Sequence, residues 1–96
     1  MKIKWHRKAR QDLRNIRAYI AEDDPKAAAH VATRILQSVE RLPANPAIGR
    51  PGRVMDTREL VVVGTPYLVP YRVVGDVIVI LRVLHGARKW PDRFID

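Results

Sequence analysis

The chain has 96 residues, 47% of them hydrophobic, no cysteine and a formal net charge of +8. This length supports one domain, residues 1–96, around a single modest core, and the lack of cysteine removes disulfides and thiolate metal sites. No apolar run approaches the roughly 20 residues of a bilayer-spanning helix, and Met1 to Lys8 lack the apolar stretch of a secretory leader, so a cytoplasmic protein is expected.

The basic excess, 18 Lys and Arg against 10 Asp and Glu, favours polyanionic partners such as nucleic acid, an acidic membrane or an acidic protein. Thirteen of the 18 cations are arginines. A guanidinium grips carboxylate or phosphate with two parallel donors and stacks on rings, which suits specific contacts.

In chain order, Lys2 to Trp5 reads as a short strand. Ala9, Leu13, Ile16 and Ile20 then recur at helical spacing, with Arg10, Asp12, Arg14 and Arg17 on the other face. The helix is expected to end near Glu22-Asp23. Asp24 is a natural N-cap and Pro25 a natural first residue for a second helix, whose stripe is Ala28, Val31, Ile35, Val39 and Leu42 and which Pro43 stops. So short a link makes the two helices antiparallel neighbours.

Residues 43–57 form a loop fixed by Pro43, Pro46, Gly49, Pro51 and Gly52, with Arg50 and Arg53 flanking its tip. Three strands are expected next: Glu59 to Val63, Tyr67 to Val74 and Val77 to Leu84, the last two joined by a Gly75-Asp76 hairpin turn. In that register Arg72 faces Val79 and, without a bulge, Val69 faces Arg82. Arg82 then shares a face with Tyr71 and Ile80, and Val83 lies on the other. Pro70 cannot donate to the ladder, so a bulge or unpaired position is expected there, one that alters the pairing of Arg82 and not of Arg72. The order β, α, α, then a three-stranded meander is a two-layer α+β domain.

The meander ends in Arg82-Val83-Leu84-His85-Gly86-Ala87-Arg88-Lys89-Trp90-Pro91. A histidine, several cations and an indole at a strand end can bind anions, stack and move protons, which marks a recognition or catalytic surface. A solvated basic tail with Trp90 folded back on the core is the plainer alternative. There is no phosphate-cradling glycine loop, and His6, His30 and His85 are not spaced to share a metal, so neither metal nor cofactor is expected. Glu22-Asp23-Asp24 is explained by helix capping. What remains suits metal-free RNA cleavage, with His85 as acid or base, Arg82 and Arg88 on the phosphate and Glu59 as a base. It suits docking on an acidic protein equally well.

The element order resembles the RelE/ParE superfamily of toxins from type II toxin–antitoxin systems over nearly the whole chain. The resemblance is carried by Ala9-x-x-Asp12-Leu13-x-x-Ile16 with Tyr19-Ile20-Ala21; Gly49-Arg50-Pro51-Gly52-Arg53-Val54; Thr57-Arg58-Glu59-Leu60-Val61-Val62; Tyr67-x-Val69-x-Tyr71-Arg72-Val73; and Ile80 to Arg88. These segments are closer to the ParE branch than to the RelE branch. The resemblance implies a fold of β-α-α-β-β-β order, an N-terminal helical hairpin packed on an antiparallel sheet. ParE-like members bind and block DNA gyrase, whereas RelE-like members are ribosome-dependent endoribonucleases that cut messenger RNA.

The lysines and arginine used by RelE-like nucleases fall near Glu59, Val61 and Leu68 here, and one missing transition-state donor commonly costs about 3 kcal/mol. The resemblance therefore implies a gyrase-binding toxin, more a binder than an enzyme. Its target surface would include Arg82, His85, Arg88, Lys89 and Trp90. An acidic ParD-like antitoxin, folding as it binds, would meet Arg10, Arg14, Arg17, Arg50 and Arg53. No membrane partner is expected. The alternatives are an endoribonuclease using Glu59, Arg82, His85 and Arg88 on ribosome-bound messenger RNA, and a degenerate toxin that retains only antitoxin binding.

Overall fold

The computed structural model describes residues 1–94; residues 95 and 96, the end of the expected domain, lie outside the described residues. The elements are β1 (Lys2–Trp5), α1 (Arg7–Ala21), α2 (Pro25–Glu40), β2 (Arg50–Pro51), β3 (Arg58–Val61), β4 (Tyr67–Val74), β5 (Val77–Ile80) and β6 (Leu84–His85). The α+β class is what the chain adopts, and the expected order holds with one addition: the stretch expected as a loop over 43–57 contains the short strand β2, which pairs with β3, Arg50 opposite Glu59. The sheet is mixed rather than wholly antiparallel: its strand order is β1-β5-β4-β3-β2, with β6 beside β4, and β1 joins β5 in parallel, Ile3 opposite Ile78. Returning β1 to the far side of the hairpin through two helices permits that parallel pairing. No helix among the described residues is long and apolar enough to cross a membrane.

The helical hairpin forms where its caps place it. The Asp24 carboxylate accepts from the Ala27 amide at 3.1 Å and Pro25 opens α2. The stripes then bury Ala9 on α1 and Ala28, Ala32, Ile35 and Val39 on α2, with Leu42 just beyond. These meet Leu60, Val62, Val69, Tyr71, Ile78 and Ile80 from the sheet in one core. Burying each aliphatic side chain contributes about 1.5–3 kcal/mol.

The hairpin register holds at its closed end, where Val74 faces Val77 and Arg72 faces Val79, and Gly75 takes the positive φ of 58° that the turn requires. Near Pro70 the ladder slips. Tyr71 faces Ile80 but Leu68 faces Leu84, so Val69 and Pro70 lie opposite three residues, Leu81, Arg82 and Val83. The Leu81 amide donates to the Pro70 carbonyl at 2.9 Å, and proline has no N–H with which to return the bond. The pairing of Val69 with Arg82 is therefore absent. Val83, expected on the far face, takes the core position and is 2% exposed. The long third strand becomes β5, a bulge and β6.

The 43–57 loop is pinned from below by Tyr71, which is fully buried. The Gly49 amide donates to its hydroxyl at 2.9 Å, and the hydroxyl donates to the Pro46 carbonyl at 2.8 Å. The approach is so close that a Cβ on Gly49 would lie 2.6 Å from the tyrosine ring. Tyr71→Phe leaves both backbone groups without that partner, and a loss of about 2 kcal/mol is expected in urea unfolding, together with faster proteolysis at residues 46–50. An unchanged midpoint would mean that water replaces the hydroxyl.

Candidate functional site

Two neighbouring features occupy the end of the sheet where β6 leaves it. The first is a groove of about 420 Å³ between α1 and the C-terminal segment. Asp12, Asn15, Ile16 and Tyr19 line one wall, spaced i, i+3, i+4 and i+7 so that they form one stripe of α1. Tyr67, Val83, Leu84, His85, Arg88 and Lys89 line the other. The His85 ring meets Tyr67 edge to face at 5.7 Å, and its Nδ1 accepts from the Ala87 amide at 3.1 Å. With Nδ1 so used, the neutral ring carries its proton on Nε2. Burial raises the Tyr67 phenol above its ordinary pKa, while the charge of Arg88 pulls it partly back. Tyr67 is thus an uncharged donor at neutral pH.

The second feature is the Arg50–Arg53 turn. Glu59 is 1% exposed and sits at the middle of an ion cluster. One carboxylate oxygen accepts from Arg50 at 3.3 and 3.2 Å through Nε and Nη2. The other accepts from the Arg53 backbone amide at 2.6 Å, with the Arg53 side chain 3.7 Å away. The Arg53 guanidinium lies 3.8 Å from the centre of the Trp90 ring and donates to the Gly86 carbonyl at 3.4 Å. Trp90 in turn donates from its indole nitrogen to the His85 carbonyl at 3.0 Å. The indole therefore closes the tail onto the loop and leaves it half-buried.

The expected site residues divide accordingly. His85, Arg88 and Lys89 converge on the groove, and Arg88 and Lys89 are exposed. Arg82 does not line it. Its Nε and Nη2 donate to the two oxygens of Asp12 at 2.7 and 3.0 Å, and the Val83 amide donates to the same carboxylate at 3.0 Å. That hydrogen bond, outweighing partial burial, raises the guanidinium pKa further. Glu59, considered as a base, faces Arg50 and Arg53; its hydrogen-bond partners do not include His85. Arg10, Arg14 and Arg17 are exposed on α1, on a stripe displaced from the groove wall. Arg53 and Trp90, assigned to different partners in the sequence, touch.

Sequence reasoning missed Asn15, Ile16, Tyr19 and Tyr67 as groove walls. The helical offsets from Asp12 carry the signal for the first three once β6 is known to pass beside α1. No group of three or more His, Cys, Asp or Glu among the described residues is arranged to hold a metal.

Comparison with known proteins places this geometry in context. Residues 3–90 match the family described as the ParE toxin of the type II toxin–antitoxin system parDE. The chain is 49% identical over 90 residues to the Sinorhizobium fredii protein named "Putative toxin Y4kP", covering 94% of this chain and 93% of that one. It is 37% identical over 86 residues to Toxin RelE2 of Caulobacter vibrioides, covering 90% and 96%. A solved structure from the chromosomal ParDE toxin–antitoxin system of P. aeruginosa superposes with a TM-score of 0.77 at 37% identity, covering 86% of this chain and 92% of that one. The mixed sheet, the helical hairpin and the matched length together make this chain a member of the ParE toxin family of type II toxin–antitoxin systems.

Proposed function

We propose that this toxin acts in the cytoplasm by binding DNA gyrase, and that an acidic ParD-like antitoxin neutralises it. The target surface in this reading is built from His85, Arg88, Lys89 and Trp90, with Arg82 holding their strand in place. The antitoxin docks across Arg10, Arg14, Arg17, Arg50 and Arg53.

The observation that carries the choice of binding over cleavage is the state of the groups that RNA cleavage would need. Glu59 is enclosed by two arginines, and Arg82 is committed to both oxygens of Asp12. His85 presents an N–H at Nε2, so serving as a base there would require moving the proton to Nδ1 and losing the Ala87 bond. What stays available is an exposed cationic rim beside aromatic rings, the composition of protein–protein hot spots.

The test is a gyrase supercoiling assay run beside a translation extract containing messenger RNA. Purified protein is expected to stop supercoiling and leave the RNA intact. His85→Ala combined with Arg88→Ala is expected to raise the inhibitory concentration by about tenfold or more, the usual consequence of truncating central contacts. The relative named Toxin RelE2 makes RNA cleavage the reading to exclude. Ribosome-dependent cuts with supercoiling untouched would establish that activity instead. Normal growth when the chain is expressed without an antitoxin would mark a degenerate toxin.

A further inference from the structure

Arg53 was expected on one partner's surface and Trp90 on another's, yet they are in contact. We propose that Arg50, Arg53 and Trp90 form one receptor for a carboxylate of an acidic protein segment, so that loop and tail are a single docking surface. This deepens the assignment of Arg50 and Arg53 to the antitoxin and rests on it.

Charge is the first argument. Two guanidinium groups share one buried carboxylate, which leaves a net positive charge at a turn whose arginine side chains are 54% and 44% exposed. Geometry is the second. The Arg53 guanidinium carbon sits over the Trp90 ring, 3.8 Å from its centre, a cation–π contact that uses none of the hydrogen-bonding capacity of the group's N–H edge. That edge is poorly used inside the fold, by a 3.4 Å bond to Gly86 and a 3.7 Å approach to Glu59. A partner carboxylate can replace those long contacts with short paired ones.

Preorganisation is the third argument. The indole already holds the Arg53 guanidinium, so less side-chain freedom is lost on binding than for a free surface arginine. Exposed Arg88 and Lys89 on the same tail extend the charge to receive further carboxylates. A segment seated on Arg53 in this way covers Trp90. The acidic partner and the gyrase target then compete for the same indole, which accounts for neutralisation by occlusion.

Trp90 supplies the readout, because Trp5 is the only other tryptophan. In a Trp5→Phe background, octaglutamate peptide is titrated at low ionic strength while indole emission is recorded, with octaglutamine as the uncharged control. A saturable change with octaglutamate alone is expected. Arg53→Gln should weaken it by about tenfold, and Arg53→Lys, which keeps charge without the planar fork, by less. Arg53→Gln preserves the backbone bond to Glu59, and circular dichroism checks that the fold persists.

Equal affinity for wild type and Arg53→Gln would overturn the proposal. So would a loss seen only when Arg10, Arg14 and Arg17 are replaced by Gln; the antitoxin assignment would then survive on α1. A response to a single-stranded oligonucleotide and none to octaglutamate would overturn it in favour of nucleic acid. Silence toward both would overturn the antitoxin assignment of the loop as well. The gyrase assay uses no peptide, so its failure is read separately.

Discussion

Glu59→Gln is expected to lower the unfolding free energy by about 2–3 kcal/mol, shown by an earlier urea midpoint with an unchanged slope. The carboxylate is 1% exposed and accepts three N–H donors. An amide of the same shape keeps one acceptor oxygen and turns an NH₂ toward donors. Breaking a fully buried ion pair costs about 3–5 kcal/mol. The smaller figure applies because Arg50 and Arg53 are half-exposed and regain water when their partner is lost. In a domain of this size the melting temperature should fall by roughly 10–20 °C.

The same variant separates two roles for this residue. A catalytic base would lose activity with its fold intact, whereas an anchor for the 50–53 turn loses stability first. Retained stability together with abolished RNA cleavage would reverse the reading of Glu59 given above.

Why Glu59 looked like chemistry in the sequence is instructive. In the sequence the visible partner of this acid is its neighbour Arg58, as a surface pair, whereas its hydrogen-bond partners lie six and nine residues earlier, across a loop whose path depends on Tyr71. The features set by local rules were legible. The Asp24-Pro25 cap, the stripes from Ala9 and Ala28, the Gly75-Asp76 turn and the register from Val74 to Arg72 each follow from interactions within a few residues. A break near Pro70 was legible too, because proline lacks a donor wherever it is placed.

What escaped the reading depends on long-range geometry. The parallel seat of β1 beside β5 is a choice among sheet edges that no local pattern encodes. The direction of the slip at Pro70 moved Val83 into the core and sent Arg82 elsewhere. The C-terminal cluster was legible as a group, since His85, Arg88 and Lys89 do converge, but its far wall belongs to α1. The arginines of α1 drew attention through their charge, while the stripe that faces the groove is Asp12, Asn15, Ile16 and Tyr19.

Asp12 is the residue on which these long-range features meet, and Asp12→Ala is expected to have an effect comparable to that of Glu59→Gln. Its carboxylate is 15% exposed and takes a two-pronged grip from Arg82, which is 24% exposed, plus the Val83 amide. Truncation strands a guanidinium and a backbone N–H at the bulge, for an expected loss of about 2–4 kcal/mol in urea unfolding. Arg82→Met keeps the stem and leaves Asp12 its bond to Val83, so about half that loss is expected. A double-mutant cycle should then return a coupling above about 1 kcal/mol, because the two residues share one hydrogen-bond network. On the Arg82 side the contribution is insensitive to pH under ordinary conditions: the raised guanidinium pKa keeps the charged form through neutrality, and its share is lost only in strong alkali, as pH rises through that folded-state pKa. The bulge also sets where β6 begins, so both variants should weaken the proposed gyrase inhibition through displacement of His85 and Arg88, at temperatures where circular dichroism shows a folded chain. Full stability with weakened inhibition would make Asp12 a direct contact of the target, and full inhibition from a destabilised Asp12→Ala protein would show that the bulge does not position the groove.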